Sequence, residues 1–230
     1  MAGSLRQHFE HELRSLQQDV LRMGTYVVEM LDLSMQALVE QDVNTANHVV
    51  NMDDAADEMD LAIEQSCLRL LALQQPMSKD LRIISTALKI ITDLERIGDF
   101  SVDIAKTARR IAREPYFKPP ARLPQMSECV KALVRESLQA YVTCDTERVR
   151  RAIEMDDRVD AYYDQIFSEL MEHIEKDPSL ARQAVWLTHI THFLERIADH
   201  AVNVAERVHY METGEFRQLA ESHRSESGRQ

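Results

Sequence analysis

Glycine and proline are scarce: five and six residues in a chain of 230. That leaves few sites for tight reversals or breaks, which excludes a β-rich chain built of many turns. Cysteine is scarcer still. Cys67, Cys129 and Cys144 are odd in number, far apart and without a Cys-x-x-Cys pair. This excludes a disulfide framework and a thiolate metal site, and points to reduced thiols in the cytoplasm. No run of eighteen apolar residues occurs, and the opening Met1-Ala2-Gly3-Ser4-Leu5 has no apolar signal region, so the expectation is a cytoplasmic protein that is not membrane-embedded. Positive charge is in deficit, with 27 Lys and Arg against 39 Asp and Glu and a formal net charge of −12. A nucleic-acid backbone would be repelled unless the basic residues were concentrated, and no such concentration stands out, so no nucleic acid is expected as partner. The acidity suits solubility, multivalent cations or a basic protein surface. Nucleophile-elbow, phosphate-loop and dinucleotide-binding signatures are all missing, which argues against an enzyme.

What is abundant is Leu, Ala, Glu, Arg, Gln and Met, the residues of long helices. The chain is also internally repeated. Ser34, Gln36, Ala37, Val39, Asp42, Met52, Asp53, Asp54 and Asp57 recur 103 positions later as Ser137, Gln139, Ala140, Val142, Asp145, Met155, Asp156, Asp157 and Asp160. After an indel near Pro76 and Pro178 the offset becomes 100, and Leu94 to Ala105 aligns with Leu194 to Ala205 at seven identities in twelve. Asp42, Ser78, Asp145 and Asp177 read as helix N-caps, the last followed by Pro178 at the first helical position. The fold expected is all-α: six long helices in two tandem three-helix bundles related by an internal pseudo-two-fold repeat. The helices fall near 5–40, 43–75, 79–113, 125–143, 146–176 and 178–212. The first repeat is placed at 1–113, a proline-rich linker at 114–124, the second repeat at 125–217 and a disordered polar tail at 218–230, with Gly214 as a C-cap.

The third helix of each repeat carries an apolar seam with alternating spacings of four and three. Ile90, Leu94, Ile97, Ser101, Ile104, Ala108 and Ile111 form the first, and Ile190, Leu194, Ile197, Ala201, Val204, Val208 and Met211 the second. This is the pattern of a packed bundle, with small Ser101 and Ala201 permitting close approach. The methionines, Met23, Met30, Met35, Met52 and Met59 among them, read as core filling.

Glu95, Asp99 and Asp103 stand four apart on the same helix, and Glu195, Asp199 and Asn203 repeat them. The stripe lies roughly opposite the seam, so it is expected to face outward from its own bundle. Carboxylate and amide oxygens suit hard cations, whereas the alternative is a solvated helix face. Retention of Glu and Asp in register in both copies, while Lys106 becomes Glu206, brings the functional reading level with the solvated face. Arg96 and Arg196 beside the carboxylates are expected to form intramolecular salt bridges, though they could orient the stripe or contact an anion. Asp53, Asp54 and Asp57, with Asp156, Asp157 and Asp160, form a second duplicated acidic cluster, which favourable interaction with the helix dipole explains. His189, His192, and Glu206 with His209 touch on di-iron spacing, but the first repeat has Lys106 and Arg109 there, so ordinary histidines are the better reading.

Leu70 to Arg82, with Leu88-Lys89-Ile90 and Asp93-Leu94-Glu95-Arg96-Ile97-Gly98-Asp99, resembles the signature of the PhoU family of phosphate-uptake regulators, and Leu194 to Glu206 resembles its second copy. The resemblance implies a negative regulator of phosphate transport and phosphate-starvation signalling. It implies a non-catalytic cytoplasmic homodimer acting as adaptor between the ATPase subunit of a phosphate ABC transporter and a phosphate-sensing histidine kinase. It further implies a multinuclear metal cluster of iron, zinc, manganese or magnesium on Glu95, Asp99 and Asp103, and on Glu195, Asp199 and Asn203. Phe193 in place of Asp93 and Ala198 in place of glycine depart from the family pattern, and the charge lost at Phe193 weakens the second site. A metal-dependent enzyme of the ferritin-like di-iron type and a purely structural helical scaffold are the alternatives.

Overall fold

The computed structural model describes residues 2–74, 76–114, 119–215 and 219–220. The six helices are α1 (Ala2–Glu40), α2 (Val43–Gln74), α3 (Lys79–Ile111), α4 (Arg122–Thr143), α5 (Thr146–Lys176) and α6 (Ala181–Thr213), with a short 3-10 turn, Pro178–Leu180, leading into α6. Among the described residues there is no strand, and no helix is long and apolar enough to cross a membrane.

The same hairpin device joins α1 to α2 and α4 to α5. Gln41 and Cys144 take the left-handed conformation, with φ of 53° and 54°. The next amide then reaches back to the last turn, Asp42 N–H to Ala37 O at 3.0 Å and Asp145 N–H to Ala140 O at 3.3 Å, which satisfies carbonyls at the helix end. The same aspartate opens the following helix. Asp42 Oδ1 accepts from Asn44 N–H at 2.8 Å, and Asp145 Oδ1 from Glu147 N–H at 2.9 Å. Asp145→Ala should therefore cost about 1 kcal/mol, read as a shift in the urea midpoint, because an orphan donor of α5 loses its acceptor.

Several caps and boundaries differ from the expectation, with α1 beginning at Ala2 and α3 ending at Ile111 among them. The residue Ser78 precedes α3 in the left-handed region at φ 47°, and its side chain makes no cap bond. Pro124 lies inside α4 rather than in the linker, which its position in the first turn allows because those amides have no intrahelical acceptor. Asp177 caps the 3-10 turn, accepting from Ser179 N–H at 3.0 Å, and α6 proper starts three residues later than expected. Gly214 ends α6 at φ 76°, as its position predicts. Residues 218 and 221–230 of the expected tail, 115–118 of the expected linker and residue 75 of the expected second helix lie outside the described residues. Ala220 is buried, and the Leu219 and Ala220 amides donate to Glu206 Oε1, so those two residues pack against α6 instead of forming a disordered tail.

Helices α1, α2 and α3 pack on one another, as do α4, α5 and α6, and the two bundles meet through α3 against α6 and α1 against α4. Every residue of both third-helix seams is buried. Met23, Met30, Met35 and Met52 are buried, and Met59 packs against the core from its edge. Where α1 meets α4 the backbones come close at Gly24: a Cβ there would lie 2.4 Å from Leu138 Cδ1. Nearby, the side chain of Lys131, 6% exposed, threads between Asp32 of α1 and Glu128 of its own helix.

Candidate functional site

Helices α3 and α6 run antiparallel, so that residue 93 meets residue 200, residue 100 meets 193, and residue 82 meets 211. The repeat makes these equivalent positions, yet they are filled differently. At one end His200 Nδ1 lies 2.9 Å from Asp93 Oδ1, and Asn203 Nδ2 donates to the same oxygen at 3.2 Å. At the other end Phe100 stacks on Phe193 with ring centroids 5.9 Å apart. Phe100 also approaches His200, at 5.8 Å. The substitution of Phe193 for Asp93 is thus matched by the substitution of His200 for Phe100. Asp93 belongs to the contact between the repeats, so Phe193 removes no charge from the second acidic stripe.

The other family departure has no steric consequence. A Cβ at Gly98 would sit 3.6 Å from Val27 Cγ1, ordinary contact, which is why Ala198 fits at the equivalent position.

The acidic stripe is half-buried, not fully outward, because α2 covers one flank of α3 and α5 covers one flank of α6. Those flanks carry the second acidic cluster, which corrects its helix-dipole explanation. The helix α2 starts at Val43 and α5 at Thr146, so Asp53 and Asp156 each lie about three turns in, beyond the reach of the terminal dipole. Of these, Asp53, Asp57 and Asp160 face the stripe, whereas Asp156 is buried beside Cys129 of α4. Burial raises the Asp53 carboxyl above its usual range, and Asp99, Asp57 and Asp54 add to the effect against Lys106. The Glu95 carboxyl is raised by burial and by Asp99, Asp57 and Asp60, with Arg96 opposing. Asp60 is raised by burial, Glu64 and Asp57. In the second repeat burial, followed by Glu195, Asp199, Asp157 and Asp164, pushes Asp160 up to about 6. Two acidic grooves result, one between α2 and α3 and one between α5 and α6.

The second groove is the less acidic. Tyr163 and Phe167 stand where the repeat places Asp60 and Glu64, and their rings stack with centroids 6.5 Å apart.

Each sequence-predicted residue can now be placed. Glu95 and Asp99 line the first groove and Glu195 and Asp199 the second. Asp103 lies 3.7 Å from Lys106 at the edge, and Asn203 is turned to Asp93 across the repeat boundary. Arg96 and Arg196 form the expected intramolecular salt bridges, to Asp99 Oδ2 at 2.8 Å and Asp199 Oδ2 at 2.9 Å. His192 Nδ1 lies 2.8 Å from Glu195 Oε2. Glu206 is committed to the Leu219 and Ala220 amides, so no ferritin-like Glu-x-x-His pair forms with His209. Among the described residues, no three His, Cys, Asp or Glu side chains converge closely enough to hold one ion. The donors are nonetheless carboxylates crowded against one another across each helix pair, with Arg96, Lys106, Arg196 and His192 compensating them from the stripe's own helices, and carboxylate oxygens are the donors that a hard cation takes.

The cysteines offer no reactive thiol. Burial, reinforced by Glu64, pushes Cys67 up to about 12, and burial with a hydrogen bond to Glu212 pushes Cys144 up to about 11.

Comparison with known proteins follows the same lines. The model of the PhoU domain matches residues 20–108 and again 123–208, one copy for each bundle. The phosphate-specific transport system accessory protein PhoU homolog of Clostridium acetobutylicum is 38% identical over 210 residues, covering 91% of this chain and 96% of that protein. The homolog of Aquifex aeolicus is 39% identical over 205 residues, covering 89% of this chain and 93% of that one. The crystal structure of the phosphate transport system regulatory protein PhoU from Streptococcus pneumoniae superposes with a TM-score of 0.86 at 31% identity, over 92% of this chain and all of that one. PhoU from Pseudomonas aeruginosa superposes with a TM-score of 0.85, also at 31% identity, over 90% of this chain and all of that one. By its two matched domains, its relatives and its architecture, the chain belongs to the PhoU family.

Proposed function

We propose that this protein regulates phosphate transport as a non-catalytic accessory protein in the cytoplasm, and that its two acidic grooves take up hard cations. Its relatives are named as accessory proteins of a phosphate-specific transport system, which supports the role in transport. The observation that carries the cation reading is the duplicated crowding of α2 against α3 and α5 against α6, with Asp53, Asp60, Glu95 and Asp160 all raised by burial and by like charges. Asp53, Asp57, Glu95 and Asp99 would hold cations in the first groove, and Asp157, Asp160, Glu195 and Asp199 in the second. Bound iron, zinc, manganese or magnesium would supply charge neutralisation there. The carboxylates themselves do the rest: ionised and bare they repel an acidic partner surface, and once compensated they permit docking. The partners proposed are the ATPase subunit of the phosphate ABC transporter and a phosphate-sensing histidine kinase, met by a homodimer.

Elemental analysis of the untagged protein tests the cation reading. The wild type should retain more than one equivalent of metal per chain after incubation and desalting. The variant with Glu95, Asp99 and Asp103 all changed to alanine should lose the first-groove share while keeping its helical circular dichroism. Equal stoichiometry in the two proteins, or none in either, removes the metal from the proposal. Capture of the ATPase subunit by wild type but not by the triple variant would tie the groove to the adaptor role.

A further inference from the structure

The C-terminal part of α3 is as basic as its middle is acidic. Lys106, Arg109 and Arg110 of α3, with Arg113 in the turn just after it, are spaced three, four and seven residues from the first, and with Val50 of α2 they line a cleft of about 260 Å³. Their compensation is slight. Arg109 Nη1 donates to the neutral amide oxygen of Asn47 at 2.8 Å, and Lys106 Nζ is 3.7 Å from Asp103 Oδ1. Among the described residues neither Arg110 nor Arg113 makes an ion pair, in a protein whose acidic residues outnumber its basic ones by 39 to 27.

Cations in the last turn of a helix are commonly explained by the helix dipole. The second repeat shows that the scaffold does not require them. At the equivalent places α6 carries Glu206, His209, Tyr210 and Thr213, and it ends stably on the left-handed Gly214. The basic set is therefore peculiar to one repeat, and gathering four like charges around one cleft is unfavourable unless an anion relieves it.

From this cleft we infer a binding site for a phosphate-type oxyanion, either free in solution or carried as the terminal group of a small molecule. Guanidinium groups present paired N–H donors that match two oxygens of a tetrahedral anion, and a neighbouring ammonium adds a point charge. Asn47 holds one of the three guanidinium groups in place, while those of Arg110 and Arg113 remain for the ligand. The site adjoins the first carboxylate groove at Lys106, which faces Asp53 and Asp103, while the Arg110 and Arg113 donors form no ion pair with that groove among the described residues.

Equilibrium dialysis at low ionic strength, with metal first stripped from the full-length protein, gives the test. The probes are inorganic phosphate and ATP, each measured alone. At least one should saturate near one equivalent per chain, and the probe that does so identifies the source of the phosphate group. Arg110→Ala with Arg113→Ala should weaken that binding by about tenfold or more, as loss of charged hydrogen bonds does. Arg150→Ala with Lys176→Ala, which removes the same charge from exposed pairs on α5, should leave it unchanged. Should the first double variant lose helicity, Arg113→Glu alone serves, since residue 113 lies beyond the helix end. Saturation by neither probe, equal weakening in both double variants, or undiminished affinity in a folded cleft variant would overturn the assignment.

Discussion

Asp93→Phe should lower the free energy of unfolding by about 2–3 kcal/mol, and adding His200→Phe should restore most of that loss. The single change strands the His200 and Asn203 donors in a contact where the Asp93 and His200 side chains are each only 15% exposed. A polar group left unpaired in such a place costs about 1–3 kcal/mol, less than in a fully dry core. The double variant copies the opposite end of the same contact, where Phe100 and Phe193 already stack at 5.9 Å. Aromatic burial then takes over from the hydrogen bonds, with Asn203 left close enough to the boundary to recruit water. Urea denaturation of the wild type, both single variants and the double variant closes the cycle. Costs that simply add would show that the two ends are not interchangeable solutions to one geometry.

Asp160→Asn should stabilise the metal-free protein at pH 8 by about 1–2 kcal/mol and flatten part of its pH dependence. Burial, Glu195 and Asp199 hold the Asp160 carboxyl up at about 6, against about 3.9 in an unfolded chain. The folded state thus binds the proton more tightly. Its contribution is fully present below about pH 4 and is lost as pH rises through about 6. The bare conversion gives about 3 kcal/mol, which the partial exposure of the groove reduces to the figure stated. Asp53, Asp60 and Glu95 are shifted the same way and add to the effect. The melting temperature of metal-free protein should accordingly rise as pH falls from 8 toward 5. Below that, Asp42 and Asp177 act in the other direction. Their carboxyls are lowered by the hydrogen bonds from Thr45 and Asn44, and from Ser179, so protonation weakens the caps. A melting temperature that falls steadily from pH 8 downward would contradict the raised carboxyls.

The six helices, both buried seams, the capping aspartates and the Gly214 end could all be read from spacing, because each is decided within a few residues along the chain. The acidic stripe was legible for the same reason. Its flanking partners were not: Asp53 and Asp57 reach Glu95 and Asp99 only because α2 folds back along α3, and nothing local distinguishes that from a dipole effect. Counting from the cap at Asp42 would have excluded the dipole, since Asp53 is three turns away. The pairing of Asp93 with His200 needs the antiparallel register of α3 and α6, which only the tertiary structure supplies. Signals for it were present, however, as two coupled departures from the repeat, at 93 against 193 and at 100 against 200. The basic cleft corrects the expectation that no basic concentration stands out. Its spacing along the chain is local, but totals over an acidic chain conceal four cations gathered around one cleft.

The unequal ends of the α3–α6 contact also decide which halves can mate. Two copies of the first repeat brought together in the same antiparallel register would set the Asp93 carboxylate against the Phe100 ring at both ends. Two copies of the second would set His200 against Phe193 twice. Only a first repeat facing a second makes one polar end and one aromatic end. A duplicated three-helix unit, which could otherwise pair indiscriminately between chains, thereby carries a two-position code that directs each half to its own complement.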